Sequence, residues 1–331
     1  MALDLQFFDH LQRATPADAW SAILDRAWSI CSRPLTPSSA GAEIVRRDHA
    51  VADIDLFLAT SGWDLWQAYE QVAPLTSDRL AAWWQDNPGG RGVLVLDAFS
   101  LRECPWLLAQ AESRGFTVHR AAVTAAELPA DTTPFAKALG FAQRSALSNN
   151  GAGGAHRLLG ARTESTDISW LDCADLIGSE LNWVFWHHWP DNRLHEHDAP
   201  GRGLPSLAKE AESHLTSDDF WHFVERLATG RRVVITADHG YAASGNFPDS
   251  NKDQTEYLRE TFKSGRWNDE AVEPGAWVPP LDLLLETRHG RHLFVNGRRK
   301  WKNAGGYPTL THGGLSVLEV AVPWIELSRN A

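Results

Sequence analysis

The chain has 331 residues, a length that corresponds to roughly two domains of about 150 residues each. Its 42 Asp and Glu against 31 Lys and Arg give a formal net charge of −11, which argues against a protein that coats duplex DNA through a broad basic face. Hydrophobic residues make up 43% of the chain and charged residues 22%, as in an ordinary globular protein rather than a disordered one. The sequence therefore predicts a globular protein with a large core.

Cysteine content and the N-terminus bear on the cellular compartment. Three cysteines at wide spacing, Cys31, Cys104 and Cys173, predict neither a disulfide framework nor a cysteine zinc site. The N-terminus lacks the basic and apolar regions of a signal peptide, and no apolar run reaches the roughly 18 residues of a membrane span. We therefore expect a cytoplasmic protein in a reducing compartment, without membrane association.

Residues 1–88 predict a tryptophan-rich helical region. Apolar residues recur at helical spacing over residues 17–31, directly after the helix-start signal Thr15-Pro16. Residues 54–69 and 77–85 predict further helices, with four tryptophans among them. We interpret these tryptophans as core residues, with a binding face as the less favoured alternative.

From residue 89 onward, apolar runs alternate with helix signals. Residues 93–96 form a continuous apolar run that ends in Asp97, and residues 116–119, 181–186, 232–236 and 318–322 predict further strands. Continuous apolar runs are typical of strands buried on both faces, so the pattern favours an α/β fold with a mainly parallel sheet. A hairpin is predicted to turn at Asn296-Gly297, while residues 147–165 and 243–279 are predicted to be flexible or irregular.

Acidic residues and histidines cluster where predicted strands end. Asp97 ends one apolar run, and Asp238-His239 follows another. Because ligands of open parallel sheets gather at the carboxyl ends of strands, these side chains are candidate metal ligands. Asp191 and His195 are spaced i and i+4, so a helical turn would place them on one face as a zinc-type pair of carboxylate and imidazole.

Further histidines complete the set of candidate metal ligands, and three of them are alternatives to His195. His187, His188 and His197 lie in the same short segment and are alternatives to His195. His312 is followed by two glycines in a predicted loop before the last strand. Three carboxylates and three imidazoles would make two three-ligand sites with open positions, as in catalytic zinc centres, and two neighbouring metals suit phosphoryl chemistry.

These motifs, in this order, resemble the PglZ domain, a branch of the alkaline phosphatase superfamily. The sequences Val-Ile-Thr-Ala-Asp-His-Gly-Tyr and Thr-His-Gly-Gly-Leu-Ser-Val-Leu carry the resemblance, which covers roughly residues 90–328. It implies an alkaline-phosphatase-like α/β/α sandwich with a mainly parallel central sheet, preceded by an α-helical N-terminal region. The expected domains are the helical region at residues 1–88 and a PglZ-like catalytic domain at residues 89–331.

The resemblance also implies two divalent metal ions, expected to be Zn²⁺, and assigns ligands to each. The first ion would be held by the acid at the end of the first strand and by the Asp-His pair, that is, by Asp97, Asp238 and His239. The second would be held by the pair on the helical turn and by the histidine before the last strand, that is, by Asp191, His195 and His312.

The expected nucleophile is a hydroxyl at the start of a helix, which the resemblance places at Thr132. Family members often show Leu-Pro-Ser-x-Thr, and this chain has Ala130 in place of the serine. The adjacent Thr133 leaves the register open, and Ser100 is a weaker candidate. A metal-bound hydroxyl loses its proton more easily, and a helix N-terminus stabilises a phosphate, although the two threonines would also serve as a plain helix cap.

A basic segment bears on the substrate class. Residues 288–302 contain six Lys or Arg and no acid, interleaved with aromatic residues, a combination that suits a single-stranded nucleotide chain. A solvated hairpin is the alternative. The candidates for substrate binding within this segment are Arg298, Arg299 and Lys300.

These observations predict a two-metal phosphohydrolase, specifically a phosphodiesterase acting on oligonucleotides or cyclic nucleotides. A phosphomonoesterase on the same site and a catalytically silent scaffold are the alternatives. Because PglZ proteins accompany bacterial anti-phage systems of the BREX type, the resemblance implies a role in antiviral defence, with a protein partner bound by the N-terminal helices.

Overall fold

A computed structural model describes residues 4–197, 203–244, 247, 250–269, 273–302, 307 and 309–329, with the side chains of residues 37, 195 and 197 outside that description. Within these ranges, no helix is both long enough and apolar enough to cross a bilayer.

Among the described residues, five helices precede the first strand, in the region that the sequence predicts to be helical. Side-chain caps start the first two helices. The Asp4 carboxylate accepts a hydrogen bond from the Phe7 N–H. The Thr15 hydroxyl accepts one from the Asp18 N–H, and Pro16 is the first residue of that helix. The helices are α1 (Leu5–Arg13), α2 (Pro16–Cys31), α3 (Ala40–Thr60), α4 (Leu65–Val72) and α5 (Thr76–Asp86), with a 3-10 turn at Pro37–Ser39.

A six-stranded sheet forms the centre of the protein, in the order β2-β11-β5-β1-β4-β3. Five strands run in one direction, and β11 runs antiparallel to both of its neighbours. The strands are β1 (Gly90–Asp97), β2 (Phe116–Ala125), β3 (Arg162–Thr166), β4 (Asn182–Pro190), β5 (Arg231–Thr236) and β11 (Ala321–Arg329). The predicted α/β fold with a mainly parallel sheet is therefore confirmed.

Helices cover both faces of the sheet. Alternate residues of β1 point to opposite faces, so Leu94 and Leu96 join one hydrophobic cluster while Val93 and Val95 join another. The second cluster is completed by α5 and α7, and the first by several other helices. The helices from the first strand onward are α6 (Cys104–Ser113), α7 (Thr132–Ala138), α8 (Trp170–Leu176), α9 (Asp191–His197), α10 (Gly203–Thr216), α11 (Asp218–Ala228), α12 (Lys252–Phe262) and α13 (Val317–Val320).

The N-terminal helices pack on the sheet rather than apart from it. Trp20 of α2 is fully buried and belongs to the same hydrophobic cluster as Leu96 of β1. Its indole N–H donates to the Leu65 carbonyl at 2.9 Å, which satisfies the polar atom of the buried ring. A boundary between domains at residues 88 and 89 remains a prediction.

The predicted turn at Asn296-Gly297 is wrong. Strands β8 (Asp282–Thr287) and β9 (Gly290–Val295) form the hairpin, which turns at residues 288–289, and β7 (Trp267–Asn268) pairs with β9. Asn296 and Gly297 lie beyond the hairpin, where their N–H groups donate to the carbonyls of Leu281 and Leu315. Gly297 does adopt a positive φ of 77°, but the turn it permits leads the chain out of the hairpin.

Three predicted loop or strand assignments also need correction. The segment predicted to be flexible overlaps a 3-10 helix at Arg144–Asn150 and the edge strand β3, whose polar sequence gives no apolar run. The segment predicted to be irregular contains α12, which begins with a capping box between Asn251 and Gln254. The last predicted strand begins instead as the short helix α13, and β11 follows it. A small pair, β6 (Ala242–Ala243) with β10 (Leu310–Thr311), completes the fold.

Candidate metal centre and nucleophile

The site lies at the carboxyl ends of three neighbouring parallel strands. Asp97 is the last residue of β1, Asp238 lies two residues beyond β5, and Asp191 begins α9 directly after β4. Because β1 pairs with both β5 and β4 in the parallel direction, all three carboxylates reach the same edge of the sheet.

A threonine hydroxyl and an imidazole meet two of these carboxylates. The Thr132 hydroxyl oxygen lies 3.0 Å from Asp238 Oδ2 and 3.3 Å from Asp97 Oδ1. His239 Nε2 lies 3.4 Å from the same Asp238 oxygen and 3.7 Å from Asp97 Oδ1. One ligand atom from each of Asp97, Asp238 and His239 lies within 4.8 Å of the others, so these three side chains have the spacing of a metal site.

Backbone geometry explains the sequence Asp238-His239-Gly240. A side chain at Gly240 would collide with the Leu318 carbonyl oxygen, so only glycine allows the loop to approach α13 this closely. The Ala98 N–H, in a residue with a φ of 60°, donates to Asp238 Oδ1 at 3.0 Å. The loop after β1 thus fixes the carboxylate that follows β5.

The hydrogen bonding of His239 favours one tautomer. Its Nδ1 lies 2.9 Å from the Gly240 carbonyl oxygen, which can only accept, so Nδ1 carries the proton. Nε2 then presents a lone pair to the carboxylates, and within the described part of the chain this buried atom has no hydrogen-bond partner. A backbone carbonyl that holds one ring nitrogen while the other faces acidic groups is the usual arrangement of a metal-binding histidine.

A second set of candidate ligands adjoins the first. The rings of His239 and His312 stack with centroids 4.4 Å apart, and His312 Nε2 lies 3.4 Å from Asp191 Oδ1. One ligand atom from each of Asp131, His239 and His312 also lies within 4.8 Å of the others. The structure therefore brings His312 and Asp191 together, and it adds Asp131 to the residues predicted from the sequence.

The structure describes the backbone of His195 but not its side chain, so it tests only whether His195 and Asp191 lie in one helix. Asp191 and His195 both belong to α9, which confirms the predicted helical turn. The His195 side chain lies outside the described residues, as does that of the alternative His197. Assignment of His195 to the second metal thus remains a prediction.

The two glycines after His312 have a packing reason. Gly313 has a φ of 100°, and a Cβ there would come within 2.7 Å of the Trp267 ring. A Cβ on Gly314 would come equally close to the Arg266 guanidinium. The loop therefore packs closely against two side chains of another segment, and this packing holds His312 in place.

The electrostatics of the site show an excess of negative charge. Burial, together with the neighbouring carboxylates of Asp238 and Asp191, raises the pKa of Asp97 well above its usual value. Burial also raises the pKa of Asp238 to about 6, although the Ala98 N–H acts in the opposite direction. For Asp131, burial is outweighed by the nearby His312 and His239, so its pKa is lowered. A bound cation would relieve the repulsion between the first two.

The candidate nucleophiles differ in their surroundings. Thr132 is the first residue of α7, capped by Asp131, and its hydroxyl faces the two carboxylates. Thr133 is exposed at the next position. Ser100 is fully buried and accepts a hydrogen bond from the Arg102 guanidinium at 3.0 Å.

The two other histidines of the β4 segment have contacts of their own. The His187 ring stacks on Trp170 at 3.9 Å, and its two nitrogens contact the Ile168 carbonyl and the Trp189 N–H. His188 Nε2 lies 3.0 Å from the Ser165 hydroxyl. Neither is brought to the acidic cluster in the way that His239 and His312 are.

The basic segment is only in part the exposed basic surface that the sequence predicts, since Arg288, Arg291 and Lys302 are exposed but the residue next to the predicted turn is not. Arg298 is fully buried and forms ion pairs with Asp48 and Asp55, so its predicted contact with a substrate chain is wrong on grounds of access. Arg299 and Lys300 are half-buried, and their charged groups lie over the rings of Phe247 and Tyr307, respectively. Their role in substrate binding remains a prediction.

Sequence reasoning missed three residues at this site. Asp131 caps α7 and accepts a hydrogen bond from the Trp267 indole N–H at 3.2 Å, while the Arg144 guanidinium forms an ion pair with Asp97. The sequence does mark Asp131, because this residue directly precedes the expected nucleophile Thr132. Nothing local marks Trp267 or Arg144, because both reach the site only through the fold.

Comparisons with known proteins find distant structural similarity. No protein-family model and no curated protein matches the chain. A solved structure of murine ectonucleotide pyrophosphatase/phosphodiesterase 5 aligns with a TM-score of 0.42 and 11% identity, covering 73% of this chain and 88% of that chain. An inactive form of that protein in complex with AMP aligns with a TM-score of 0.41 and 10% identity, covering 72% and 87%. Alignments this distant assign no activity to this chain.

Proposed function

We propose that this protein is a metal-dependent phosphohydrolase that cleaves phosphodiesters, with Thr132 as its nucleophile. The observation that carries the proposal is the contact of the Thr132 hydroxyl with two buried carboxylates, Asp97 and Asp238, beside the Nε2 atom of His239. A hydroxyl held among metal-type ligands at the carboxyl edge of a parallel sheet is an arrangement suited to covalent phosphoryl transfer.

The donor set fits divalent zinc. Carboxylate oxygens and imidazole nitrogens are its ordinary ligands. The Nε2 atom of His239, which has no hydrogen-bond partner among the described residues, points at the place where Asp97 and Asp238 converge. Asp97, Asp238 and His239 would hold one ion, and Asp191 and His312 a second, with Asp131 and His195 as further donors. Such ions, when bound, ease the deprotonation of a hydroxyl and offset the charge that develops on phosphoryl oxygens.

The proposed reaction proceeds in two steps through a covalent phosphothreonine at Thr132. The Thr132 oxygen forms a bond to phosphorus as the bond to the first alcohol breaks, and its proton passes to solvent; its contact with Asp238 Oδ2 holds the oxygen in position. The departing alkoxide takes up a proton from water. Water then attacks the phosphorus of the phosphothreonine, the bond to Thr132 breaks, and the threonine oxygen regains a proton. The products are an alcohol and a phosphomonoester.

The resemblance to PglZ domains supports a finer proposal about biological role. An oligonucleotide or a cyclic nucleotide would be the substrate, and the setting would be a BREX-type defence system in the cytoplasm. In that setting, the N-terminal helices would bind a partner protein through their outer faces, since their tryptophans contribute to the core.

Zinc content and turnover test the proposal together. We expect the wild type to bind zinc and to hydrolyse bis(p-nitrophenyl) phosphate, Thr132→Ala to lose roughly a thousandfold or more in kcat/KM, and Asp238→Ala to lose both metal and turnover. Thr133→Ala is the matched control and should retain activity within a few-fold.

Four results would contradict the proposal in different ways. Full activity in Asp238→Ala, or absence of bound metal in an active wild type, would exclude the metal mechanism. An inactive Thr133→Ala with an active Thr132→Ala would move the nucleophile by one residue. A wild type that binds zinc but cleaves neither diester nor monoester substrates would favour the scaffold alternative.

A further inference from the structure

The tip of the β8–β9 hairpin, formed by Arg288 and His289, belongs to the basic segment and contacts acidic side chains of the same chain. The Arg288 guanidinium lies 3.3 Å from Asp78 Oδ2, and its Nε lies 3.5 Å from Glu127 Oε2. His289 Nε2 lies 3.3 Å from the same Glu127 oxygen. Because a carboxylate only accepts hydrogen bonds, the imidazole donates through Nε2. Both residues of the hairpin tip therefore pair with Glu127.

Glu127 is buried, and its two oxygens meet donors from two separate segments. The side chain is 1% exposed, and Oε1 accepts a hydrogen bond from the Ser77 hydroxyl of α5 while Oε2 faces the hairpin tip. A buried carboxylate is costly unless its oxygens are paired, so these contacts fix the position of Glu127. Residues 127–131, which we call the nucleophile loop, end directly before Thr132, the first residue of α7.

Glu70 of α4 joins the hairpin tip and the nucleophile loop through their backbones. Its Oε2 accepts a hydrogen bond from the Arg288 N–H at 2.6 Å, and its Oε1 accepts one from the Leu128 N–H at 3.3 Å. Two neighbouring residues of the loop are thereby tied to the hairpin tip, Glu127 through its side chain and Leu128 through its backbone.

The other end of the nucleophile loop is held by the same small sheet. Trp267 of β7 donates its indole N–H to Asp131 Oδ2 at 3.2 Å, and β7 pairs with β9 of the hairpin. Thr132 follows directly, with its hydroxyl 3.0 Å from Asp238 Oδ2. Because a displacement of about 1 Å at a reacting atom can cost about a hundredfold in rate, contacts that hold this loop bear on the reaction.

We propose that the hairpin tip positions the Thr132 hydroxyl by holding Glu127 directly and Leu128 through Glu70. The inference rests on the proposed function and deepens it, since it names residues that hold the nucleophile without touching the substrate. Among the described residues, Glu127 is not one of the groups whose ligand atoms have the spacing of a metal site. Loss of the hairpin contacts therefore lowers turnover while the metal stays bound.

The experiment removes the two basic side chains of the hairpin tip and leaves Glu127 in place. The variants are His289→Ala and the double variant Arg288→Ala with His289→Ala. His289→Gln is the conservative variant, because its amide keeps an N–H donor for the carboxylate. Arg291→Ala is the matched control, since Arg291 lies on the same hairpin and pairs with Glu286 at 3.3 Å, with both side chains more than half exposed.

Two kinds of measurement are made on each protein. Steady-state hydrolysis of bis(p-nitrophenyl) phosphate gives kcat and KM, with zinc per chain measured on the same samples. Hydrogen exchange of the backbone amides in residues 127–132 of the zinc-free protein reports on the nucleophile loop independently of turnover, and exchange in the rest of the chain is followed in the same experiment.

We expect the double variant to lose about tenfold to a hundredfold in kcat, with KM and zinc content close to those of the wild type, because the substrate still binds but meets a displaced nucleophile. Exchange in the nucleophile loop should rise by about tenfold or more, with little change elsewhere. His289→Ala should lie between the wild type and the double variant, and His289→Gln should recover most of the loss. Arg291→Ala should match the wild type throughout.

Several outcomes would overturn the inference. Unchanged kcat in the double variant, or an equal loss in Arg291→Ala, would show that the hairpin tip does not position Thr132. A loss explained by lower zinc content or by a higher KM would assign the tip to metal or substrate binding instead. Faster exchange throughout the chain would reduce the tip to a general contribution to stability.

Two further arrangements keep the test decisive. If the double variant does not fold, His289→Ala and His289→Gln are judged by the same criteria. If the wild type has no turnover, the proposed function fails, and exchange alone decides on the hairpin tip. Faster exchange confined to the nucleophile loop of the double variant would then support its positioning role, and unchanged exchange would refute it.

Discussion

Two groups of buried carboxylates in this protein differ in how their charge is compensated. In the buried ion network, formed by Asp48, Asp55, Arg102 and Arg298, two carboxylates meet two guanidinium groups, and all four side chains are at least 99% buried. Asp48 contacts both arginines, and their charges outweigh the effect of burial, so its pKa is lowered. Of the two arginines, Asp55 pairs with Arg298 and not with Arg102 among the described contacts, and burial raises its pKa.

The carboxylate cluster at the sheet edge, formed by Asp97 and Asp238, lacks such a balance. Burial dominates for Asp97 and Asp238, and both pKa values are raised. The ion network joins α3 to the segment after β9, so its cost of burial is offset within the fold. In the carboxylate cluster, Arg144 pairs with Asp97, but within the described residues no guanidinium pairs with Asp238, so burial is less fully offset than in the ion network, as is common at functional sites.

The largest expected effect on stability follows from breaking the balance of the ion network. Arg298→Met would leave Asp55 without a guanidinium and Asp48 with one, so we expect the free energy of unfolding to fall by about 3–5 kcal/mol. Urea denaturation measures it. Arg46→Met is the control, because Arg46 pairs with Glu43 on the surface and should contribute less than about 1 kcal/mol. Similar losses in the two variants would contradict the distinction between balanced burial and surface pairing.

A second prediction uses the uncompensated charge of Asp238. Because its pKa of about 6 in the folded protein lies above the usual 3.8, ionisation destabilises the metal-free fold as pH rises from about 4 to above 6. The amide introduced by Asp238→Asn cannot ionise, so the advantage of this variant over the wild type should grow by up to about 3 kcal/mol across that range. Urea unfolding in the presence of a chelator, at several pH values, measures this difference.

The control for this pH dependence is Asp218→Asn. Asp218 is 92% exposed at its side chain and pairs with Arg114 on the surface, so the effect of its substitution should vary little with pH. If the Asp238→Asn difference were equally flat, the carboxylate cluster would not carry the excess charge that separates it from the ion network.

The smallest expected effect concerns Trp267, which donates its indole N–H to Asp131. Trp267→Phe keeps most of the bulk against Gly313 but removes one hydrogen bond, so we expect a loss of about 1 kcal/mol, or roughly fivefold in kcat/KM. Trp84→Phe removes a similar bond, to the Leu159 carbonyl at 3.1 Å, on a helix away from the site. We expect Trp84→Phe to lower the free energy of unfolding without lowering turnover. Equal losses of turnover in both variants would show that the Trp267 hydrogen bond has no specific role at the site.

Prediction from the sequence succeeded where a residue's position follows from its own neighbours in the chain. The run at residues 93–96 has no polar residue, so burial on both faces of a sheet was predictable, and Asp97 follows at the strand end. Asp238-His239 was found by the same reasoning. Prediction failed at Asn296-Gly297, since the dipeptide specifies a local turn but not which two strands the turn connects.

What the sequence determined by itself was the α/β order of elements and the acids and histidines at strand ends, because both depend on local periodicity. Tertiary structure alone decided which side chains converge: Trp267 with Asp131 across 136 positions, and Arg144 with Asp97 across 47. It also decided that Arg298, in a stretch that looked like a basic surface, is buried against α3. The reason is physical: local sequence sets a residue's conformation, but burial and charge pairing depend on segments far away in the chain.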